Sequence, residues 1–238
     1  MHFVLGRHYA RQWDLKRRTW IVLGLCYLIG MIPGSKFLFH WKTVGFDPLV
    51  IFNGKAYLQG GLWGGLLVYF PLAIVAMWVL TKKRKPAFDL IALTVPIPWA
   101  MAKIGCLMNG CCYGRPTSLP WAFTFPAINR GGAPADVPLH PTQLYEVLLM
   151  GALVVLFYRL NNERWRGTLL LWFLMVYGFG RTLIDTFRGD MQAYALKVGG
   201  ITLTHLFCLA GAVVSLLALL IYWNLLKGPE SDVKNPHV

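Results

Sequence analysis

Apolar residues run along this chain in long blocks and do not alternate with polar residues in short stripes. In a helix that rises 1.5 Å per residue, a block of about 20 residues spans the roughly 30 Å hydrocarbon layer of a bilayer. Six blocks have about that length. They cover residues 20–41, 60–80, 88–108, 142–158, 168–187 and 203–226. The pattern predicts an all-α fold, a polytopic membrane helix bundle with about six transmembrane helices.

The composition supports a membrane protein. Of the 238 residues, 56% are hydrophobic and only 14% are charged, whereas soluble domains carry about 25% charged residues. The mean hydropathy is +0.51. The net charge of +13 comes mostly from basic residues in short clusters beside the apolar blocks. Such clusters are typical of topology determinants rather than of a nucleic-acid surface, so we expect no nucleic-acid partner.

The same basic clusters predict an orientation. Fourteen basic residues lie in the N-terminal segment, in the loops after the second and fourth blocks, and in the tail, against six on the opposite side. Because Lys and Arg are enriched in cytoplasmic loops, we expect both termini to be cytoplasmic. We expect three parts: a basic cytoplasmic segment (1–19), a transmembrane domain (20–226) with an outer-face loop (109–141), and a cytoplasmic tail (227–238). The first 18 residues lack the apolar core of a cleavable signal peptide.

Several ionisable residues lie inside the apolar blocks or at their ends, where each costs about 3 kcal/mol unless it faces the bundle interior. They are Lys36, Lys103, Glu146, Arg181, Asp185 and Arg188. The spacing i, i+4, i+7 puts Arg181, Asp185 and Arg188 on one helical face. With Lys103 they predict a positive pocket for an anionic lipid headgroup, partly balanced by Asp185 and Glu146. The alternative is an Arg181–Asp185 pair within one helix and an Arg188 that extends to the interface.

The five cysteines divide into two groups. Cys26 and Cys208 lie in the middle of apolar blocks, where packing accounts for them. Cys106, Cys111 and Cys112 lie together at the outer end of the third block. These three are compatible with a disulfide or with a nucleophilic thiol. Their spacing matches no common zinc pattern, so we expect no metal.

Four motifs follow one another along the chain. Gly60-Gly61 opens the second block, and Lys-Ile-Gly-Cys-Leu-Met-Asn-Gly-Cys-Cys-Tyr-Gly-Arg covers 103–115. His-Pro-Thr-Gln-Leu-Tyr-Glu covers 140–146, and Tyr-Gly-Phe-Gly-Arg covers 177–181 and leads to Asp-Thr-Phe-Arg-Gly at 185–189. In order and spacing these motifs resemble those of the bacterial prolipoprotein diacylglyceryl transferase family. The resemblance spans residues 30–225.

Members of that family transfer the diacylglyceryl group of phosphatidylglycerol to the lipobox cysteine thiol of a preprolipoprotein and release glycerol phosphate. The resemblance implies a multi-pass transferase of the bacterial inner (plasma) membrane that needs no cofactor. Phosphatidylglycerol and the lipobox signal peptide would be its partners. Together with the charged pocket, it suggests catalytic roles for Arg181, His140 and Asp185, although His140 is equally compatible with a loop anchor. The residues expected to bind the phospholipid are Lys103, Asn109, Gly114, Arg115, Tyr145, Arg188 and Gln59.

The chain also departs from the family pattern. Lys103 stands where the signature has arginine, which keeps the charge but loses the bidentate fork. Cys106 and Cys111 replace an asparagine and a glutamate, Gln59 stands where histidine or an aromatic residue is common, and Asp185 replaces a glutamate.

The N-terminus departs as well. The first apolar block, with Gly34-Ser35-Lys36, resembles the second of the family's seven helices. We therefore expect the first family helix to be missing and a basic cytoplasmic segment to replace it. Two alternatives stay open: a related phospholipid-dependent transferase with a different acceptor, and a non-catalytic lipid-binding membrane subunit. A channel is disfavoured because no polar path continues to the cytoplasmic side.

Overall fold

The computed structural model describes residues 2–43, 62–129, 131–161, 165–190, 197–198 and 201–226. Helices dominate these ranges, as predicted. They are α1 (His2–Gln12), α2 (Arg17–Thr43), α3 (Leu62–Leu80), α4 (Arg84–Thr94), α5 (Pro96–Asn109), α6 (Thr142–Leu160), α7 (Leu169–Thr186) and α8 (Leu203–Leu226). A short antiparallel hairpin precedes α8, with β1 (Lys197–Val198) paired to β2 (Ile201–Thr202). The all-α class is confirmed apart from this hairpin, and the tail 227–238 lies outside the described residues.

Within the described ranges, four helical stretches are long and apolar enough to cross a membrane, judged by length and composition. They are Lys85–Asn109, Thr142–Leu160, Leu169–Thr186 and Thr204–Asn224. These stretches correspond to the third to sixth predicted blocks. The first block falls within α2, and the second within α3, where Val68–Leu80 is a shorter apolar helix. The total of six spans stays a prediction.

The helices expose large apolar side chains. Val155 and Tyr158 of α6 are 57% and 78% exposed, and Val214 and Ile221 of α8 are 65% and 61% exposed. Water-soluble monomers rarely expose apolar surfaces that extend over whole helices. Helices satisfy their own backbone hydrogen bonds, so such surfaces are stable against lipid. The chain is a helical membrane protein.

The chain forms two compact units, Met1–Thr94 and Val95–Val238. In the first unit, α2 and α3 approach closely at Gly30, where a Cβ atom would lie only 2.5 Å from the Tyr69 Cα atom. Lys83 Nζ also lies 2.5 Å from Asp14 Oδ2 in an exposed ion pair. The single transmembrane domain over 20–226 stays a prediction.

The second unit contains the candidate site, and the ends of α5 position it. α5 begins at Pro96, which has no N–H to donate and suits the first turn of a helix. It ends at Gly110, which adopts the left-handed conformation with φ 77° and donates its N–H to the carbonyls of Cys106 and Leu107. This closing turn is typical of glycine, and it directs the chain after α5 back towards the helix end.

The segment between α5 and α6 has irregular backbone with a small core of its own. Phe125, Ala133 and Leu139 are buried there. The segment is tied to the end of α7 by backbone hydrogen bonds from Arg115 N to Phe187 O (2.8 Å) and from Gly189 N to Tyr113 O (3.0 Å). These bonds hold residues 113–115 against the end of α7, where the charged residues lie.

Candidate active site

A buried carboxylate, Glu146, links three helices of the second unit. It lies in the first turns of α6 and is 1% exposed. Its Oε1 atom lies 2.8 Å from Lys103 Nζ of α5 and also contacts Arg181 Nη1 of α7. Its Oε2 atom accepts a 3.0 Å hydrogen bond from Trp99 Nε1. Glu146 thereby forms ion pairs with two buried cations at once.

A second set of charges continues along and beyond α7. Arg181 Nη2 lies 2.8 Å from Asp185 Oδ1, and Arg188 Nη1 lies 3.8 Å from the same oxygen. Arg188 donates from Nε and Nη2 to the two oxygens of Asp190, at 2.9 and 2.6 Å. Among the described residues, neither oxygen of Asp185 accepts an aligned hydrogen bond, although both are buried. Asp185 therefore balances charge and keeps acceptor capacity.

The cluster contains equal numbers of positive and negative formal charges. Lys103, Arg181 and Arg188 face the carboxylates Glu146, Asp185 and Asp190. The sequence pattern predicted a net positive pocket because it set the three cations against Asp185 and Glu146 and did not include Asp190.

Arg115 adds one further cation at this edge. It is exposed, and its Nε donates to the carbonyl of Arg188 over 3.4 Å. Burial is the largest single influence and opposes the charge on Arg188, but the hydrogen bonds to Asp190 and the negative charges of Cys112, Asp190 and Asp185 together outweigh it and raise the Arg188 pKa above its ordinary value. Arg188 therefore stays charged, and with Arg115 the cluster carries a formal charge of one positive unit.

An aromatic group lies beside the charged residues. His140 Nδ1 lies 3.1 Å from the Tyr145 hydroxyl, which also accepts a 2.9 Å hydrogen bond from Trp121 Nε1. The His140 ring packs on Phe187, with 5.0 Å between ring centroids. The backbone N–H of Gly114 donates to His140 O over 3.0 Å. A Cβ on Gly114 would overlap His140, so glycine is required for this approach.

Three thiols converge where α5 ends. The Sγ atoms of Cys106, Cys111 and Cys112 all lie within 4.8 Å of one another, and those of Cys106 and Cys112 are 4.0 Å apart. All three are free thiols and are partly buried. Hydrogen bonds from the other two thiols lower the Cys112 pKa, and the charges of Lys103 and Arg188 lower it further, against the effect of burial. The thiols therefore adjoin the charged cluster.

The structure brings together most of the predicted site residues. Lys103, Arg181, Asp185 and Arg188 form one cluster, with Arg115 beside it. His140 and Tyr145 belong to the aromatic group that Gly114 approaches. Asn109 is the last residue of α5 and lies beside the Cys111 thiol. Gln59 lies outside the described residues.

Three partners in the site were not predicted. Trp99 precedes Lys103 by four residues on α5, so helical periodicity places the two on one face. Asp190 follows Arg188 by two residues, beyond the helix, where periodicity gives no guidance. Trp121 reaches Tyr145 from 24 residues away in an irregular segment. Only Trp99 carries a signal that the sequence pattern could have supplied.

Comparison with known proteins agrees with the motifs. A family model described as prolipoprotein diacylglyceryl transferase matches residues 1–222. A Clostridium perfringens protein named phosphatidylglycerol–prolipoprotein diacylglyceryl transferase 2 is 30% identical over 208 residues, which cover 84% of this chain and 77% of that protein. A Vibrio cholerae protein with the same name but no number is 32% identical over 215 residues, 86% of this chain and 73% of its own length. An Acaryochloris marina namesake is 28% identical over 244 residues and covers 97% of this chain.

Proposed function

Because the chain belongs to the prolipoprotein diacylglyceryl transferase family, we propose that it transfers the diacylglyceryl group of phosphatidylglycerol to the lipobox cysteine thiol of preprolipoproteins. Glycerol phosphate is the second product. The names of its relatives include phosphatidylglycerol as the donor and prolipoproteins as the acceptors. The observation that carries the proposal is the buried cluster around Glu146, in which Lys103 and Arg181 contact one carboxylate between helices of membrane-spanning length.

Charge complementarity supports the donor. A phosphodiester carries one negative charge, and the cluster with Arg115 carries one formal positive charge. Arg181 and Arg188 each have N–H donors beyond those that contact their carboxylate partners, and these can donate to phosphate oxygens. Lys103 contributes a point charge with two further N–H donors beyond its contact with Glu146. In this proposal the phosphate binds between these three side chains.

Charge stabilisation supports the chemical step. The acceptor thiol loses its proton, and its sulfur forms a bond to the glyceryl carbon while the bond from that carbon to the phosphate oxygen breaks. The electron pair of the broken bond remains on the phosphate, whose negative charge grows. Preorganised cations stabilise charge where it develops, and Arg181 and Arg188 are held in place by Asp185 and Asp190.

His140 is the proposed acceptor of the thiol proton. In the tautomer that this role requires, His140 Nδ1–H donates to the Tyr145 hydroxyl oxygen, which also accepts a hydrogen bond from Trp121 Nε1. With that tautomer, Nε2 keeps a lone pair, as a general base requires. Asp185, whose buried oxygens keep acceptor capacity, is the second catalytic group.

The remaining proposed phospholipid contacts are less central to the cluster. Gln59, Asn109, Gly114 and Tyr145 would contact the headgroup or shape its binding site. Of these, Tyr145 contacts His140 beside the cluster. Gly114 donates its backbone N–H to His140 O and precedes Arg115, whose backbone N–H donates to Phe187 O at the end of α7.

The finer topology is part of the proposal. It comprises six spans in one transmembrane catalytic domain, both termini in the cytoplasm, the site at the outer face, and the bacterial inner membrane as location. The bias of basic residues supports this orientation. Reporter fusions at residues 82 and 120 would test it: the first should report the cytoplasm and the second the outside, and the reverse result would contradict it.

A transfer assay tests the function. The purified protein is incubated in detergent with labelled phosphatidylglycerol and a lipobox peptide, and lipidated peptide and glycerol phosphate are quantified. We expect both products, and we expect Arg181→Ala to reduce kcat at least about 100-fold because it removes stabilisation of the departing phosphate. Arg159→Ala is the matched control, since Arg159 is an exposed residue of α6.

The same assay separates the alternatives. Glycerol phosphate without lipidated peptide would point to a different acceptor. Bound lipid without either product would favour a non-catalytic subunit and contradict the proposal.

A further inference from the structure

The thiol cluster has the dimensions of a metal-binding site. Zinc–sulfur bonds are about 2.3 Å long, so sulfurs that share one ion lie about 3.8 to 4.0 Å apart. Cys106 Sγ and Cys112 Sγ are 4.0 Å apart, and Cys111 Sγ is within 4.8 Å of both. Shifts of less than about 1 Å would bring all three sulfurs to one ion, and side-chain rotation alone can supply them.

The backbone is arranged to bring these thiols together. Cys111 N donates to Cys106 O over 3.1 Å across the left-handed turn at Gly110. Cys112 also adopts a positive φ of 60°, which costs a non-glycine residue about 1 kcal/mol. Such conformations cluster at functional sites because the surrounding structure must enforce them.

Buried side chains of α6 enforce the turn. Thr142 Oγ1 donates to Cys112 O over 2.6 Å, and Gln143 Nε2 donates to Cys111 O over 2.7 Å. Both residues are 1% exposed or less. The turn is therefore fixed independently of any bond between the thiols.

A disulfide fits this arrangement less well. It requires an S–S distance of about 2.05 Å, about half of the 4.0 Å between Cys106 and Cys112, and it would leave one thiol of the three unused. A divalent ion uses all three, and the resulting group carries one negative charge. Lys103 and Arg188, which are paired with carboxylates of the charged cluster, also act on Cys112 with their positive charges and so favour a negative charge there.

Although the spacing of these cysteines along the chain matches no common zinc pattern and predicted no metal, their arrangement in space fits one ion. We propose that Cys106, Cys111 and Cys112 bind one Zn²⁺ ion through three thiolates, and that the fourth coordination position receives the thiol of the acceptor. Zinc with three protein ligands keeps an open position, whereas purely structural zinc sites have four. The second half of the proposal rests on the proposed function, because only that function brings a thiol to this site.

The role of the ion follows from thiol chemistry. The nucleophile is the thiolate, and a thiol that coordinates a metal is deprotonated. The three protein thiols lose their protons to solvent when zinc binds, and the acceptor thiol loses its proton to His140 when it coordinates. Its sulfur then forms the S–C bond as the C–O bond to phosphate breaks, and the neutral thioether leaves the ion.

Metal binding to the full-length protein in detergent tests the first half. The protein is reduced and stripped with a chelator under anaerobic conditions, and Zn²⁺ or Co²⁺ is added. We expect one bound ion per chain by elemental analysis, and for Co²⁺ the absorption of tetrahedral thiolate ligation. Cys106→Ser, Cys111→Ser and Cys112→Ser should each weaken binding at least about 100-fold. The double variant Cys26→Ser/Cys208→Ser, which keeps the cluster, should bind normally.

Several results would overturn this half. They are the absence of stoichiometric binding, unchanged affinity in Cys112→Ser, and the loss of binding in the double control variant. Thiol counting that shows a native disulfide within the cluster would also overturn it. Gel filtration of each variant checks that the fold persists.

A lipobox peptide tests the second half without relying on turnover. The peptide with its cysteine should shift the Co²⁺ spectrum, and the same peptide with serine should not. An unchanged spectrum despite stoichiometric Co²⁺ would refute the acceptor position. Full activity of metal-free protein would refute the zinc proposal and leave the transferase function intact, whereas inactivity with and without bound zinc would count against the function itself.

Discussion

Replacing Glu146 with glutamine removes the carboxylate that Lys103 and Arg181 share, and it preserves volume and the oxygen that accepts from Trp99. In the variant, Lys103 and Arg181, which are 8% and 6% exposed, lose this shared carboxylate, and among the described ion pairs Arg181 keeps the one with Asp185. Removing one partner of a buried ion pair costs about 3–5 kcal/mol, because the other charge stays buried without compensation. We expect Glu146→Gln to lower the free energy of unfolding by that amount.

The assay is denaturant-induced unfolding of the purified protein in detergent micelles, followed by tryptophan fluorescence. Asp136→Asn is the matched control: Asp136 is exposed, and asparagine tolerates its positive φ of 56°. Adding Lys103→Met to Glu146→Gln should recover part of the loss, because it removes one of the two uncompensated charges. A free energy of unfolding for Glu146→Gln within about 0.5 kcal/mol of the control would show that Glu146 does not compensate the two cations. A double variant less stable than the single one would show the same.

Three further outcomes are expected. Gly114→Ala should lower the free energy of unfolding by about 1–3 kcal/mol through overlap with His140, whereas Gly151→Ala, where a Cβ meets nothing within 4 Å, should be neutral or stabilising; equal effects would contradict the packing. Arg188→Lys should raise KM for phosphatidylglycerol about 10-fold because the fork on Asp190 is lost, and an unchanged KM would remove Arg188 from the donor site. Trp121→Phe removes one hydrogen bond to the Tyr145 hydroxyl and should lower kcat while the free energy of unfolding changes by about 1 kcal/mol or less; normal turnover would show that this bond does not position His140.

The charged cluster was predictable because charges in apolar helices are costly. Helical spacing placed Arg181 and Asp185 on one face of α7, whereas Arg188, predicted on the same face, lies two residues beyond the end of that helix. The cost of burying Lys103 implied a partner. The contacts of Lys103 with Glu146 and of Arg181 with Asp185 follow that logic. The sequence pattern therefore predicted the part of the site that lies on regular helices.

Irregular backbone accounts for what was missed. Asp190 lies beyond α7, so no helical period relates it to Arg188. The convergence of the cysteines depends on left-handed conformations at Gly110 and Cys112, and nothing in the residue type of Cys112 indicates one. The third block contains two prolines, Pro96 and Pro98, but the sequence pattern did not indicate where its helix would be interrupted. In the structure, α4 ends at Thr94 and α5 begins at Pro96.

The ratio of the two products decides whether the chain transfers the diacylglyceryl group or only cleaves the phospholipid. In one reaction with doubly labelled phosphatidylglycerol and a lipobox peptide, lipidated peptide and glycerol phosphate should form in a 1:1 ratio at every time point. Both should fall together in Arg181→Ala and persist in Arg159→Ala. Glycerol phosphate in excess of lipidated peptide, or equal turnover in the two variants, would contradict diacylglyceryl transfer at this site.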